Sequence, residues 1–151
     1  MTRILFICHG NICRSPMAEF VLKDMAQKAG RAREFAIASA ATSTEEIWNG
    51  RGNPVYPPAA AILREHGIDC GGKRAVQVKK SDYGAYDLFV CMEEQNVRNT
   101  LRILGGDPEG KVVKLLDYAG GGEIDDPWYT RDFETCYRQI EAGCRGMLEV
   151  L

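Results

Sequence analysis

The sequence predicts an α/β fold in which helices cover both faces of a four-stranded parallel sheet, a three-layer αβα sandwich. Two observations support this prediction. Short apolar runs of strand length alternate along the chain with longer segments of helical periodicity. Parallel neighbours also require crossover connections, which helices of this length supply with right-handed geometry. At 151 residues, the chain fits a single domain, residues 1–151, without an internal repeat or a linker.

Four apolar runs are predicted as buried strands: Ile4–Ile7, Phe35–Ser39, Leu88–Met92 and Val112–Leu116. Four helices are predicted between and after them: Ser15 to about Gly30, Pro58 to His66, Glu93 to Leu104 and Arg131 to Leu151. The first helix is expected to start with a hydroxyl cap at Ser15, because proline follows it at the first helical position. The segment Asn49–Pro58 is rich in Gly and Pro and is predicted to be an irregular surface loop.

The composition is that of an ordinary globular protein, with 45% hydrophobic residues, 26% charged residues and a net charge of −2. This charge predicts no nucleic-acid partner. The N-terminal apolar run Ile4–Ile7 is too short for a signal peptide or a membrane span, which predicts a cytoplasmic protein without a membrane partner. We expect a monomer or a weak dimer.

The six cysteines are scattered along the chain, and no Cys-x-x-Cys pair occurs. The only histidines are His9 and His66. Because zinc sites need paired ligands at short spacing, we predict neither a metal nor another cofactor. Four cysteines are assigned to packing: Cys70, Cys91, Cys136 and Cys144.

The segment from Cys8 to Ser15 carries the strongest chemical signal. A bare Cys-x5-Arg spacing is weak evidence, since this composition gives about 0.5 chance matches, and requiring Gly10 and Ser15 lowers that to about 0.004. Taken alone, Cys8 has an alternative interpretation as an inert core residue. Its position directly after the first strand and before the first helix, however, brings backbone N–H groups and a helix N-terminus toward one anion.

Each residue type in this loop suits phosphate chemistry. Inward-facing amides and the Arg14 guanidinium would favour the Cys8 thiolate, and Arg14 can bind two phosphoryl oxygens at once. Gly10 permits tight curvature, Asn11 tolerates a left-handed conformation, and the Ser15 hydroxyl can donate to the thiolate as well as cap the helix. The predicted phosphate-binding residues are His9, Gly10, Asn11, Ile12, Cys13, Arg14 and Ser15. His9 is expected at the pocket rim, and Cys13 is either a packing residue or a redox partner that forms a reversible disulfide with Cys8.

Thiolate attack on a phosphate monoester also requires an acid that protonates the leaving oxygen. The best candidate is Asp126, because Pro127 restricts its backbone and the rings of Trp128 and Tyr129 follow. Without the cysteine loop, Asp126-Pro127 would be interpreted as a plain turn signal. Asp125 is the nearest competitor, but its side chain is expected to point the other way. The aromatic residues predict a slot for phosphotyrosine, with Trp48 as a further candidate wall.

These residues resemble the low-molecular-weight protein tyrosine phosphatases over essentially the whole chain. The matching segments are Ile4-Leu5-Phe6-Ile7-Cys8, Arg14-Ser15-Pro16 with Ala18-Glu19, Ser39-Ala40, Arg64-Glu65-His66-Gly67-Ile68, Tyr86-Asp87, Cys91-Met92, Asp126-Pro127 and Asp132-Phe133-Glu134. The resemblance implies the flavodoxin-like, phosphotyrosine protein phosphatase I-like sheet of that family. It also implies Cys8 as nucleophile, Arg14 as phosphate binder and Asp126 as proton donor. The expected substrates are tyrosine-phosphorylated proteins or small aryl phosphates, hydrolysed without a metal.

The resemblance further implies support of the loop by Asn11, Ser15 and Ser39. The chain departs from the family pattern at Ala40 or Ala41, where glycine is common, and at Arg74-Ala75-Val76-Gln77. Its Thr42–Pro58 loop is also longer and of different composition. These departures lie around the rim and therefore bear on substrate preference.

Two other functions are compatible with the loop. An arsenate reductase on the same fold would need two further cysteines on a mobile segment, and only Cys91 falls in that region. A phosphotyrosine-binding module without turnover would have lost the thiol, the arginine or the acid, and all three residue types are present.

Overall fold

A computed structural model describes all 151 residues and contains six strands and five α-helices. The strands are β1 (Thr2–Cys8), β2 (Phe35–Ala41), β3 (Ile47–Trp48), β4 (Arg51–Gly52), β5 (Leu88–Cys91) and β6 (Val112–Lys114). The helices are α1 (Arg14–Lys28), α2 (Pro57–Glu65), α3 (Glu94–Leu104), α4 (Pro127–Thr130) and α5 (Phe133–Val150). The main sheet has the order β2-β1-β5-β6, and all its strands are parallel, which confirms the predicted four-stranded sheet.

Alternate side chains of β1 enter two separate cores, one on each face of the sheet. Ile4 and Phe6 pack with residues of α1, α2 and α5 in the larger core. Leu5 and Ile7 pack on the opposite face with Phe89 and with Leu104 of α3. Because β1 is buried on both faces, its sequence is a continuous apolar run, and the three-layer αβα architecture is confirmed. No helix of the protein is long and apolar enough to span a membrane.

The predicted irregular loop before α2 contains a small hairpin instead. β3 and β4 pair antiparallel, with Ile47 opposite Gly52 and Trp48 opposite Arg51. Asn49 and Gly50 form the two-residue turn, and both have positive φ, 50° and 74° respectively. An Asn-Gly pair is a strong hairpin signal because such turns need two residues that tolerate positive φ. The expectation of an irregular segment from Asn49 is therefore wrong at residues 49–52.

Two boundaries in the C-terminal third also differ from the prediction. β6 ends at Lys114, and Leu115 and Leu116 belong to a 3-10 turn, Leu115–Ala119, which α5 packs against. The last helix begins at Phe133 and not at Arg131, because Arg131 is left-handed with φ 61° and Asp132 caps the helix through the backbone N–H of Thr135. Leu115 and Leu116 are buried in this turn, so their apolar side chains extended the predicted strand too far.

The start of α1 corrects the expected capping role of Ser15 and leaves its expected contact with Cys8. The helix begins at Arg14, after Cys13, and no side chain caps it. Ser15 therefore lies inside the first turn, and its hydroxyl contacts the sulfur of Cys8. Pro16 is still tolerated, because the first four N–H groups of a helix have no partner within it.

Candidate active site

The loop from Cys8 to Ser15 leaves the central strand β1 at the carboxyl edge of the sheet and enters α1. Cys8 is 3% exposed. Its sulfur accepts the backbone N–H of Asn11 at 3.2 Å and lies 3.0 Å from the hydroxyl oxygen of Ser15. The loop thus wraps around the sulfur at a helix N-terminus, where backbone donors favour an anion.

Asn11 fixes the shape of this loop. Its backbone is left-handed, with φ 59°. Its side-chain N–H₂ donates to the hydroxyls of Ser15, at 2.8 Å, and Ser39, at 2.9 Å, and its carbonyl oxygen accepts the backbone N–H of Val76 at 3.0 Å. Asn11 is buried, so these bonds satisfy groups that would be costly to leave unpaired. The side chain ties together the loop, β2 and the segment before β5.

A buried carboxylate lies behind this network. Glu19 of α1 accepts the hydroxyl of Ser39 at 2.6 Å and pairs with Lys23 at 2.6 Å. Lys73 lies 3.9 Å from the same carboxylate and donates to the backbone oxygen of Ser39 at 2.9 Å. Burial lowers the pKa of Lys73, while the charge of Glu19 opposes that effect. Hydrogen bonds and ion pairs therefore connect the loop, through Ser39 and Glu19, to two lysines.

Arg14 places its guanidinium between two acidic groups. One end of the fork donates to the carboxylate of Glu93 and to the backbone oxygen of Ile124 at 3.0 Å, and the other end lies 3.4 Å from Asp126 Oδ2. Burial opposes the charge of Arg14, but Cys8, Asp126 and Glu93 raise its pKa, so the guanidinium remains protonated. Glu93 follows β5 at the same sheet edge as the loop, and sequence analysis missed it. A charged residue directly after a buried strand is the signal that could have identified it.

Asp126 comes from a distant segment that is anchored over the same edge. Ile124 N–H donates to Met92 O at 2.9 Å, which docks this segment beside β5. Asp126 Oδ1 accepts the N–H of Trp128 at 3.0 Å and caps α4, while Oδ2 faces Arg14. The neighbouring Asp125 turns away, since its carboxylate bonds the side chain of Gln139 at 3.3 Å.

These groups surround one cleft of about 270 Å³. Its lining residues are Cys8, His9, Gly10, Ile12, Cys13, Arg14, Glu45, Glu46, Tyr56, Asp126, Trp128 and Tyr129. Trp128 and Tyr129, the expected rim residues, line it. Trp48 lies outside the lining, 78% exposed on the hairpin. Asn11 and Ser15, also predicted to bind phosphate, are buried within the loop and do not line the cleft.

The chain matches the sequence profile described as "Low molecular weight phosphotyrosine protein phosphatase" over residues 3–151. The chain belongs to this family. It is 34% identical to the Bacillus subtilis low molecular weight protein-tyrosine-phosphatase YfkJ, over 98% of this chain and 94% of the relative. It is 38% identical to the Gallus gallus low molecular weight phosphotyrosine protein phosphatase, over 97% and 93%.

Solved structures agree with this family membership. The crystal structure of YfkJ superposes with a TM-score of 0.90, covering 99% of this chain and 93% of that chain. A structure of Vibrio vulnificus Wzb in complex with benzylphosphonate has a TM-score of 0.85 at 27% identity, covering 99% of both chains. The protein is therefore an enzyme of the protein-tyrosine-phosphatase class.

Three cleft residues of this phosphatase were missed by sequence analysis: Glu45, Glu46 and Tyr56. Glu45 pairs with His9 at 3.0 Å, and Glu46 accepts the side-chain amide of Asn53 at 3.2 Å. Tyr56 reaches the cleft because its backbone N–H donates to Ile12 O at 2.7 Å. No local motif marks these residues, since they reach the cleft through the path of the hairpin.

All six cysteines of the phosphatase are free thiols. Burial raises the pKa of Cys13, and the nearby Cys136 and Cys8 raise it further, so Cys13 lines the cleft as a protonated thiol. Burial likewise raises the pKa of Cys136 and of Cys91 to about 12. The sulfur of Cys8, by contrast, is contacted by a backbone amide and a hydroxyl.

Proposed function

We propose that the protein hydrolyses phosphotyrosine through a phosphocysteine intermediate on Cys8. The Cys8 sulfur attacks phosphorus as the bond to the aryl oxygen breaks, and Asp126 gives its proton to that oxygen. Water then attacks the phosphocysteine, Asp126 takes a proton from it, and the sulfur leaves as the thiolate with release of inorganic phosphate. The reaction requires neither a metal nor another cofactor.

The convergence of three groups in one cleft carries this proposal. The sulfur accepts the Asn11 N–H inside the loop, Arg14 stands near the end of that loop, and Asp126 lies 3.4 Å from the guanidinium. A planar guanidinium and backbone amides match the equatorial oxygens of a transferring phosphoryl group. The amides of His9, Gly10, Ile12 and Cys13, which line the cleft, are the remaining phosphate donors in this proposal.

The walls of the cleft favour an aryl ester. The ring centroids of Tyr56 and Trp128 are 5.6 Å apart, and Tyr129 completes an aromatic rim. A phenyl leaving group would stack in this setting, whereas a serine phosphate is too short to use it. The benzylphosphonate bound by the Vibrio relative is likewise an aryl group one atom removed from phosphorus.

The alternatives receive less support. An arsenate reductase needs resolving thiols that can reach the nucleophile, yet Cys91 is fully buried in β5 with its sulfur 3.7 Å from the Thr100 hydroxyl. A binding module without turnover could use Arg14 to bind the phosphate, but it would leave the acid and the thiol of the cleft without a use. The reversible Cys8–Cys13 disulfide stays a prediction compatible with the phosphatase.

Wild-type protein is expected to release phosphate from p-nitrophenyl phosphate and from a phosphotyrosine peptide in the presence of EDTA. A matched phosphoserine peptide is expected to react at least about 100-fold more slowly, because its leaving group gains nothing from the aromatic walls. Steady-state phosphate release measures both rates. Activity that disappears in EDTA and returns with a divalent cation would contradict the mechanism.

Glu93 is expected to act as a positioning residue for Arg14. Its backbone is fixed because Asn96 Oδ1 accepts the N–H groups of Met92 and Glu93, both at 3.1 Å. Glu93→Ala should lower kcat about tenfold with a smaller change in KM, since the charge-assisted bond that orients the guanidinium is lost. Glu93→Gln should recover part of the loss. Glu94→Gln, which removes an exposed neighbouring charge paired with Lys114 at 3.7 Å, is the control. A wild-type kcat in Glu93→Ala would refute this role.

A further inference from the structure

Arg131 is a positive charge fixed at the rim of the cleft. It ends α4, where its backbone N–H donates to Pro127 O at 2.9 Å and its φ is 61°. A left-handed backbone is unusual for a residue other than glycine, asparagine or aspartate. Its guanidinium donates to the hydroxyl of Tyr56 at 3.1 Å and lies 5.6 Å from the ring centroid of Trp128. Two of the aromatic cleft walls therefore hold this side chain in place.

None of the contacts of Arg131 neutralises its charge. Both partners, a hydroxyl and an aromatic ring, are uncharged, and Arg131 forms no ion pair within 4.0 Å. The carboxylates nearest in sequence are engaged elsewhere. Asp132 bonds the backbone and hydroxyl of Thr135 at 2.9 and 2.6 Å, and Glu134 pairs with Arg138 at 3.1 Å. The guanidinium is exposed and available to a group on a bound substrate.

Two other residues of the same cleft carry the opposite charge. Glu45 and Glu46 line it, and the side chain of Glu45 is 68% exposed. His9 is the contact of Glu45, and it carries charge only when protonated. A phosphotyrosine in the cleft would thus have a cation on the side of α4 and carboxylates on the side of the hairpin. The substrate backbone on either side of the phosphotyrosine would meet opposite fields.

We propose that Arg131 is a specificity-determining residue that binds an acidic side chain next to the phosphotyrosine of a substrate protein. The inference rests on the proposed function, since it concerns the same cleft. The acidic residue is accepted on only one side of the phosphotyrosine, because on the other side it would face Glu45 and Glu46. Arginine suits this task, since its planar fork binds a carboxylate through two parallel hydrogen bonds.

The test compares three phosphotyrosine peptides that differ only in the placement of two glutamates. One has alanines on both sides, one has glutamates before the phosphotyrosine, and one has them after it. For wild-type protein, one acidic placement is expected to have a kcat/KM roughly threefold above that of the neutral peptide, and the other placement to fall below it. This advantage should shrink toward one in 1 M salt, which screens charges over about 3 Å.

The readout for each variant is the ratio of kcat/KM for an acidic peptide to kcat/KM for the neutral peptide. General effects on the fold or on turnover cancel in this ratio. Arg131→Gln is expected to bring the ratio of the preferred placement to about one, and Arg131→Lys to retain most of the preference. Arg145→Gln makes the same change in net charge on α5, away from the cleft, and should keep the wild-type ratio. A wild-type ratio in Arg131→Gln, or equal rates for all three peptides with wild-type protein, would overturn the assignment.

The two proposals fail in distinguishable ways. A protein that does not hydrolyse even the neutral phosphotyrosine peptide contradicts the proposed function. A protein that hydrolyses it well and ignores the glutamates contradicts only the role of Arg131.

Discussion

Cys8→Ser protein is expected to lose at least about 10⁴-fold in kcat for p-nitrophenyl phosphate, because a serine hydroxyl is not ionised by the donors that stabilise a thiolate. The substitution changes one atom. The new hydroxyl can still accept the N–H of Asn11 and bond Ser15, so the fold and the substrate cleft should persist. The variant is therefore expected to retain phosphotyrosine peptides on a column and to release phosphoserine peptides.

The control for this experiment is Cys70→Ser, which alters a half-buried thiol that does not line the catalytic cleft. It should turn over like wild type. Acid quenching of wild-type protein during turnover of ³²P-labelled substrate should leave label on the peptide that contains Cys8. Substantial turnover by Cys8→Ser, or label on any other residue, would rule out the phosphocysteine mechanism.

Asp126→Asn is expected to have the second largest effect, a loss of about 100-fold or more in kcat for phenyl phosphate, since general acid catalysis typically contributes that much. Asparagine keeps an oxygen that can accept the N–H of Trp128, so α4 retains its cap while the transferable proton is lost. The loss should be smaller for p-nitrophenyl phosphate, because nitrophenolate leaves readily without protonation. Comparing the two esters measures the acid role directly.

Asp125→Asn is the matched control for Asp126→Asn. It removes the adjacent carboxylate, which bonds Gln139 and does not line the cleft, so kcat should stay within about twofold of wild type. A loss of equal size for both esters in Asp126→Asn would assign the residue to loop structure and not to proton transfer. A large loss in Asp125→Asn would exchange the roles of the two residues.

The sequence was sufficient for the sheet because β1 and β5 are buried on both faces and must therefore be continuous apolar runs. Short, continuous apolar runs of this kind are typical of buried parallel strands. The end of β6 was harder to predict, since burial of Leu115 and Leu116 follows from packing against α5 and not from strand pairing. Hydrophobicity records burial, and it does not distinguish a strand from a buried turn.

The candidate site likewise contains residues that the sequence predicts and residues that only the fold brings together. Cys8, Arg14 and their loop are contiguous in sequence, so their spacing was visible before the fold was known. Glu93 contacts Arg14, and Tyr56 reaches the cleft, only because β5 and the segment after the hairpin end beside the loop. Of the two roles that the sequence suggests for Ser15, helix cap and partner of the Cys8 sulfur, only the contact with the sulfur is formed.

The three side-chain bonds of Asn11 mean that the phosphate cradle acquires its shape during folding. Its conformational entropy is lost once, before any substrate arrives, and phosphate binding need order little of the protein. Catalytic competence is therefore lost when a few buried bonds between the loop, Ser39 and Val76 open locally. On heating or in denaturant, the enzyme should lose activity through that local opening before the parallel sheet itself unfolds.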